Sequence, residues 1–323
     1  MTKILVTGGT GFLGSAVVKH LLKIKKKVVI FDNNFRGSFS NIKEIKDKVQ
    51  IIKGDIRNLK DIKRATRNVT EVYHLAFING TSNFYENPKL VMDVGINGTI
   101  NLLNIINSNK KIKKFVYASS SEIYQEPDKF PTPENIYAKL PNTKNPRYSY
   151  ASSKILGEVL TYNYLRNDLK KIIFRPHNIY GPSMGFEHVI PQIIKKIIKS
   201  TKNLHLKKCR IKIQGSGLES RSFCFIDDAA VGIILSANKG GNNEIYNIGN
   251  KDEITIRNLI LKISKILSIK TKIESGKLQI GSALRRVPDN RKLKKLGYKS
   301  NYNLENGLIK TVNWYKNFYL KNV

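Results

Sequence analysis

The chain has 323 residues, 41% of them hydrophobic and 9% aromatic, which is enough for one large α/β unit or two domains. This composition excludes a disordered or low-complexity chain. Its two cysteines, Cys209 and Cys224, exclude a disulfide scaffold and lack metal-ligand spacing, so no metal site is predicted. We see no apolar run long enough to span a membrane and no signal peptide, and we therefore expect a cytoplasmic protein.

The formal net charge is +33 and the isoelectric point is about 10.0. Such an excess can indicate a nucleic-acid or membrane-surface partner. Here the lysines are spread along the chain beside isoleucine and asparagine, as in KIKKK, which is typical of a compositional bias and a solvated surface. We therefore expect neither nucleic acid nor a membrane as partner. The same charge favours the attraction of an anionic substrate.

In chain order, short β-branched runs alternate with amphipathic segments through the first half of the sequence. This alternation predicts βαβ units and a Rossmann-like, doubly wound parallel sheet. Strands are predicted at 4–7, 28–31, 49–53, 72–75, 115–118 and 172–175, and helices at 12–24, 62–67, 98–107 and 150–165.

Prolines and glycines divide the second half into shorter elements. Strands are predicted at 223–226 and 244–248, and a helix at 256–267. We expect residues 1–176, with 222–250 returning to them, to form the sheet domain. Residues 177–323 are expected to form a smaller, substrate-binding α/β domain over the carboxyl edge of the sheet, where such folds bind ligands.

The strongest motif is TGGTGFLG at residues 7–14, between the first predicted strand and the first predicted helix. A glycine at the first position permits a tight turn, the second lets backbone approach a pyrophosphate, and the third lets helix and strand pack closely. The free N–H groups and the dipole of the helix N-terminus favour an anion there. We therefore expect Gly8, Gly11, Phe12, Leu13 and Gly14 to bind a dinucleotide.

Two acidic positions follow the next predicted strands. Asp32 ends the second strand, where a carboxylate can accept hydrogen bonds from an adenosine ribose and repels a 2′-phosphate. With its neighbour Asn33 it favours NAD, although Arg36 leaves NADP open. Asp55 and Ile56 are expected to hold the adenine, or Asp55 to cap the next helix.

Tyr150 and Lys154 form a Y-x-x-x-K pattern on one face of a predicted helix. A phenol is a weak base at neutral pH, but an adjacent ammonium group stabilises the phenolate and lowers the phenol pKa. Lys154 can also hold the nicotinamide ribose. After a glycine loop this pair predicts catalysis, whereas the pattern by itself is common.

A serine run, SSSE at residues 119–122, follows the strand predicted at 115–118. Ser120 is expected to bind the reacting oxygen and to relay its proton to Tyr150. Glu122 is a candidate general base, with Ser121 between them. The alternatives are a capping turn for the serines and a solvated charge for Glu122.

Together these motifs resemble the extended short-chain dehydrogenases, specifically the NAD-dependent sugar-nucleotide epimerase/dehydratase family. The segments that carry the resemblance occur in the family order: TGGTGFLG, GDIRN, HLAF, NGTINLL, SSSEIY, YSYASSK, RPHNIYGP and RSFCFIDD. The resemblance implies a nucleotide-diphosphate sugar as substrate and a homodimer packed through two long helices. It also implies that the cofactor is served by Leu75, Ala76, Pro176 and Asn97, with Asn97 near Tyr150. It implies that the substrate is served by Arg175, Asn178, His188, Val189, Arg221 and Arg286, with Arg175, Pro176 and Asn178 where the cofactor and the substrate pyrophosphate meet.

Two departures from the family pattern bear on the reaction. Phe77 replaces a small residue near the cofactor or substrate, and Ser121 stands where typical 4,6-dehydratases carry an acid. Because typical 4-epimerases lack the glutamate, Glu122 favours a 4,6-dehydratase, which oxidises carbon 4 of the sugar, removes the carbon 5 proton and eliminates water. The alternatives are a 4-epimerase, a uronic acid decarboxylase, and a non-catalytic dinucleotide sensor or nucleic-acid-binding protein.

Overall fold

The computed structural model describes residues 2–278 and 283–321. The strands are β1 (Lys3–Thr7), β2 (Lys27–Asp32), β3 (Gln50–Lys53), β4 (Glu71–His74), β5 (Lys114–Ala118), β6 (Lys170–Pro176), β7 (Ile179–Tyr180), β8 (Lys208–Lys212), β9 (Ser220–Ser222), β10 (Cys224–Phe225), β11 (Glu244–Ile248), β12 (Glu253–Thr255), β13 (Lys270–Glu274) and β14 (Arg285–Arg286). The α-helices are α1 (Phe12–Lys23), α2 (Leu59–Ala65), α3 (Thr81–Glu86), α4 (Pro88–Met92), α5 (Gly98–Ser108), α6 (Ser149–Asn163), α7 (Val189–Ser200), α8 (Ile226–Lys239), α9 (Ile256–Ile266), α10 (Arg291–Lys295) and α11 (Leu304–Lys321). A π-helical turn, Asp93–Asn97, leads into α5, and a 3₁₀ turn, Ser121–Tyr124, follows β5.

Within the described residues, seven strands form one parallel sheet in the order β11-β6-β5-β4-β1-β2-β3. The chain runs outward from β1 to β3, then crosses to β4 and builds the other half. The order therefore reverses between β1 and β4, which is where doubly wound sheets bind ligands. The α/β, Rossmann-like fold class predicted from the alternating pattern is confirmed.

Side-chain alternation along the strands explains why both faces of this sheet are covered. In β1, Ile4 and Val6 belong to one buried cluster, whereas Leu5 belongs to the cluster on the opposite face. In β2, Ile30 and Phe31 divide in the same way. Strands that are apolar on both faces are typical of parallel sheets enclosed by helices. Because both faces of the sheet are covered, the loops with the predicted functional residues lie at its carboxyl edge.

The second half of the chain is less regular, as its composition predicts. Strand β11 lies beside β6 in the central sheet, while β9, β12 and β14 form a separate small sheet. The strand predicted at 223–226 is shorter, because helix α8 already begins at Ile226. Helices α7, α8 and α11 were not predicted. The domain boundary at 176/177 stays a prediction. Among the described residues, no helix is long and apolar enough to cross a membrane.

A buried ion pair fixes α6 to the sheet. Arg175 of β6 donates to both carboxylate oxygens of Glu158 in α6, from Nε to Oε1 at 2.8 Å and from Nη2 to Oε2 at 2.6 Å. Arg175 also donates to the Tyr124 hydroxyl group and to the backbone oxygen of Glu134, both at 2.8 Å. The resemblance assigned Arg175 to the pyrophosphates, but its donors are occupied inside the protein because its side chain turns under α6. Its role here is to hold α6.

We expect Arg175→Met to lower the free energy of unfolding by about 3–5 kcal/mol, because it leaves the Glu158 carboxylate buried without its partner. Urea denaturation followed by circular dichroism measures the change. Lys19→Met is the matched control, since Lys19 pairs with Glu44 at 3.9 Å on the surface. The control should change the free energy by about 0.5 kcal/mol or less. Equal effects of the two substitutions would contradict a structural role for the buried pair.

Candidate active site

The glycine loop between β1 and α1 is built by backbone that approaches itself closely. Gly8 has φ +72°, and a Cβ there would lie 2.8 Å from the backbone nitrogen of Ala76. A Cβ on Gly14 would lie 2.0 Å from the Gly8 carbonyl oxygen. Asp32 closes the loop from β2, since its carboxylate accepts the backbone N–H of Thr10 at 3.0 Å. These contacts fix the loop, so that the N-terminus of α1 faces the cavity at the carboxyl edge of the sheet.

This loop forms one wall of a cavity of about 850 Å³. Of the residues predicted to bind the cofactor, those that line this cavity are Gly8, Gly11, Phe12, Leu13, Gly14, Asp32, Asn33, Asp55, Ile56, Leu75, Ala76, Tyr150, Lys154 and Pro176. The volume suits an organic ligand of cofactor size. The structure therefore brings together residues of α1, α6, β2 and β6 and residues that follow β1, β2, β3 and β4.

At one end of the cavity, Asp55 is engaged by two neighbours. Arg57 donates to both of its oxygens, at 2.8 and 3.0 Å, and Asn33 donates to it at 3.1 Å. The hydrogen bonds from Arg57 lower the pKa of Asp55 to about 2. Arg57 also donates a hydrogen bond to one carboxylate oxygen of Asp93. The other oxygen of Asp93 accepts a hydrogen bond from Asn97 at 2.9 Å. The carboxylate of Asp55 is thus a fixed negative group at this wall.

Asn97 does not reach the cavity or Tyr150. It is exposed on the π-helical turn before α5, where its amide binds Asp93. The position beside the catalytic helix belongs to Gly95 instead, since a Cβ on Gly95 would lie 2.9 Å from the Cβ of Ser153. The placement of Asn97 near Tyr150 is therefore wrong, because the tight π turn directs residue 97 outward.

At the other end of the cavity, α6 presents Tyr150 and Lys154. Burial raises the pKa of Tyr150, while a hydrogen bond with Ser120 acts in the opposite direction. The ammonium nitrogen of Lys154 donates to the Ala118 carbonyl oxygen at 2.5 Å and lies 5.6 Å from the centre of the Tyr150 ring. Burial lowers the pKa of Lys154 well below its usual value. The predicted lowering of the Tyr150 pKa by Lys154 is absent from this arrangement.

Glu122 and Arg286, predicted to serve separate purposes, form an ion pair. The two Nη atoms of Arg286 donate to the two carboxylate oxygens, one of them at 3.0 Å. Burial would raise the pKa of Glu122, but Arg286, with help from Arg147 and Arg221, lowers it to about 2. The Nε–H of Arg286 is buried and has no hydrogen-bond partner among the described residues. Glu122 is therefore a weak base here, and the two Nη atoms of Arg286 are engaged with it.

The remaining predicted substrate residues are dispersed. His188 lines the cavity, whereas Val189 begins α7 and packs against the core. Asn178 donates to the Ser222 carbonyl oxygen at 2.9 Å. Arg221 donates to backbone carbonyl oxygens of 220, 283 and 284, and burial lowers its pKa to about 10. Contact of these four residues with a substrate stays a prediction.

The sequence analysis missed several residues of the cavity wall. Trp314 and Phe318 of α11 line the cavity beside Phe186, with the rings of Phe186 and Phe318 4.9 Å apart. Ser119 also lines it, and its hydroxyl group has no hydrogen-bond partner among the described residues. The aromatic residues come from a helix near the end of the chain that carries no local motif. Ser119 lay inside the predicted serine run, so its position was the one available signal.

Comparisons with known proteins agree with this geometry. The sequence profile of the NAD dependent epimerase/dehydratase family matches residues 4–249. A putative UDP-glucose 4-epimerase of Methanocaldococcus jannaschii is 33% identical over 97% of this chain and 98% of its own. A UDP-N-acetyl-alpha-D-glucosaminuronate decarboxylase of Bacillus cytotoxicus is 29% identical with the same coverage. The structure of a dTDP-glucose 4,6-dehydratase double mutant from Streptomyces venezuelae with NAD bound superimposes with a TM-score of 0.84, at 25% identity, covering 97% of this chain and 96% of that one.

The residues of the cavity fit NAD. The glycine cradle leaves backbone N–H groups at the N-terminus of α1 for a pyrophosphate, because side chains at Gly8 and Gly14 would collide with backbone. Asp32 and Asp55 provide carboxylates at the ribose and adenine end. The hydroxyl group of Ser119, which has no partner in the described part of the chain, offers a further hydrogen bond at the Tyr150 end of the cavity.

We expect Asp32→Ala to weaken NAD binding about tenfold to a hundredfold, because charge-assisted hydrogen bonds are lost. The same change should reduce the preference for NAD over NADP, because the carboxylate that repels a 2′-phosphate is removed. Isothermal titration calorimetry with both dinucleotides measures the two effects. Asp47→Ala, at an exposed position outside the cavity, is the control and should bind NAD like the wild type. Unchanged NAD affinity in Asp32→Ala would contradict the assigned ribose site.

The glycine loop, Tyr150 and Lys154 line one cavity at the switch point of the sheet. The residues matched by the family profile include all of them. The match covers more than half of the chain. This chain therefore belongs to the NAD-dependent epimerase/dehydratase family, and its cofactor is NAD.

Proposed function

We propose that this enzyme oxidises carbon 4 of a nucleotide-diphosphate uronic acid and then releases the carboxyl group as carbon dioxide. The observation that carries the proposal is the ion pair between Glu122 and Arg286. Ser120 and Glu122 both influence the pKa of Tyr150, which supports a place for the ion pair near the reacting carbon. The guanidinium groups of Arg147, Arg221 and Arg286 around Glu122 favour a substrate that carries a carboxylate beside that carbon.

The substrate class is supported by the relatives. The M. jannaschii protein is named for UDP-glucose and the B. cytotoxicus protein for a UDP-linked uronic acid. Arg147, Arg221 and Arg286 all act on Glu122, so the substrate end carries more positive than negative charge. Such a site attracts a diphosphate and a uronic carboxylate together. Homodimerisation stays a prediction from the family resemblance.

In the oxidation step, Tyr150 as phenolate accepts the proton of the sugar's 4-hydroxyl group, directly or through Ser120. When held by the residues of the cavity, NAD would supply the hydride acceptor for carbon 4, the hydride donor for the return step, and a positive ring that favours the phenolate. Lys154 supplies a second positive charge near Tyr150. Tyr150 is buried, so its proton is exchanged mainly among the phenol, Ser120 and the sugar oxygen.

The 4-keto sugar formed from a uronic acid is a β-keto acid, since its carboxylate stands on carbon 5. The bond between carbons 5 and 6 then breaks, carbon dioxide leaves, and the electron pair forms an enolate across carbons 4 and 5. Tyr150 and Ser120 donate hydrogen bonds to the enolate oxygen, which stabilises the developing charge. A proton from solvent replaces the lost group on carbon 5. No basic Glu122 is needed, which agrees with a carboxylate held by Arg286.

The second candidate is the 4,6-dehydration predicted from the sequence. It is favoured by the place of Glu122, which is near enough to Tyr150 to influence its pKa. A base that removes the carbon 5 proton would have to lie close to Tyr150, as Glu122 does. However, an ion-paired carboxylate with a pKa of about 2 removes a carbon-bound proton poorly. Decarboxylation therefore fits the observed charge arrangement better.

Substrates labelled with ¹³C at carbon 6 separate the candidates. We expect UDP-glucuronic acid or its N-acetylglucosamine counterpart to release labelled carbon dioxide, measured by NMR as bicarbonate. The matching neutral sugars, as UDP-, GDP-, dTDP- and CDP-derivatives, should give little product. A 4-keto-6-deoxy product from a neutral sugar, or a 4-epimer without loss of carbon 6, would contradict decarboxylation.

We expect Arg286→Gln to lower kcat for decarboxylation about tenfold to a hundredfold, because the hydrogen bonds to a charged group are lost. The same change frees Glu122 from its ion pair and would raise its basicity. A true dehydratase should therefore keep or gain elimination activity. Arg210→Gln is the matched control, since Arg210 pairs with Glu274 at 3.1 Å on the surface. Wild-type decarboxylation by Arg286→Gln would exclude the proposed carboxylate partner.

A further inference from the structure

We propose that Phe77 is a positioning residue, whose ring face holds the charged ammonium group of Lys154 in the active site, in a slot that Gly95 leaves open. The ammonium nitrogen lies 3.5 Å from the centre of the Phe77 ring. This is within the range of a cation–π interaction. The inference concerns Lys154 and Tyr150 and does not depend on whether carbon dioxide or water leaves the substrate.

The slot for the ring is built from the backbone. Phe77 follows β4 and lines the cavity, and its ring meets the Tyr150 ring edge-on at 5.2 Å. A Cβ on Gly95 would lie 2.3 Å from the Cζ atom of Phe77 and 2.9 Å from the Cβ of Ser153. Any larger residue at 95 would therefore expel the ring. The bulky Phe77 and the bare Gly95 are complementary, so the unusual phenylalanine is accommodated and faces the catalytic lysine.

Few other groups compensate the charge of Lys154. Glu158, on the same helix, acts to raise the pKa of Lys154, but its two carboxylate oxygens are bonded to Arg175. His74 of β4 is neutral, because burial, together with the Lys154 charge, lowers its pKa to about 3. The ring of Tyr117 in β5 lies 5.1 Å from the ammonium nitrogen, farther than that of Phe77.

The end of β5 supplies a hydrogen bond to the ammonium group. The Ala118 carbonyl oxygen accepts a hydrogen bond from Lys154 at 2.5 Å. The carboxylate of Glu122 is taken by Arg286. Lys154 is 2% exposed. A buried ammonium group with one carbonyl partner depends strongly on an adjacent π face, because water is excluded. Phe77 therefore stabilises the charged form that Tyr150 needs beside it.

The test measures Lys154 directly, in the full-length protein without substrate. Trace labelling with acetic anhydride modifies only the neutral amine, and mass spectrometry of the peptide that contains Lys154 gives the pH midpoint of its reaction. In Phe77→Leu the ammonium form loses its π partner, so we expect the midpoint to fall by about 0.5 to 1.5 pH units. Gly95→Ala, which closes the slot, should lower the midpoint in the same direction.

Two further proteins separate the ring's charge distribution from its shape. In one, 3,5-difluorophenylalanine at position 77 keeps the shape and weakens the negative ring face, and we expect a smaller fall of the midpoint. In the other, Phe84→Leu removes a ring that stacks on Tyr150 at 5.0 Å without a described contact to Lys154, and the midpoint should not move. In parallel, kcat of Phe77→Leu at pH 7 should fall about threefold to thirtyfold with little change in KM. An unchanged midpoint in both Phe77→Leu and the fluorinated protein would overturn the proposal.

Discussion

The attachment of α6 to the central sheet is the constraint on which the active site depends. This helix carries both Tyr150 and Lys154, and the buried pair of Arg175 and Glu158 holds it against β6. Taking two charges out of water is costly, and an ion pair inside a protein adds little stability compared with apolar packing. What a bidentate guanidinium provides is geometry, since its planar fork accepts a carboxylate in one orientation. A shift of α6 would move both catalytic groups away from the cofactor cavity.

The cavity separates charge along its length. The end formed by β2 and β3 presents carboxylates, and Asp55 is kept ionised by Arg57. The catalytic end presents a buried ammonium group and a buried phenol, which are compensated by rings and by one carbonyl oxygen. Glu122, which influences the pKa of Tyr150, has the guanidinium groups of Arg147, Arg221 and Arg286 around it. This charge arrangement underlies the proposal that an anionic substrate binds beside Tyr150.

The predicted residues that the structure places at the cavity are mainly those defined by local backbone. The glycine loop and Asp32 follow directly from strand, turn and helix, and they line the cavity as expected. The failures arise where tertiary packing decides which way a side chain points. Asn97 faces outward because it lies on a π turn. Arg175 points under α6 because it forms an ion pair with Glu158 of that helix.

Contacts between distant segments were beyond any local pattern. Glu122 and Arg286 are 164 residues apart, and Trp314 reaches the cavity from the last helix. The compensation between Phe77 and Gly95 has the same character. The sequence marks Phe77 as unusual, yet only the fold places it against Gly95 and Lys154. Complementary pairs of this kind link the identity of one residue to the space left by another.

The central claim is that Tyr150, assisted by Ser120 and Lys154, accepts the proton of the sugar's 4-hydroxyl group while NAD would oxidise carbon 4. Stopped-flow absorbance at 340 nm, after mixing the NAD-loaded enzyme with a nucleotide-diphosphate uronic acid, tests it most directly. The account predicts a transient rise in the wild type and a rise slowed at least about a hundredfold in Tyr150→Phe, because a proton acceptor in the transition state is lost. A transient of wild-type rate in Tyr150→Phe would contradict it.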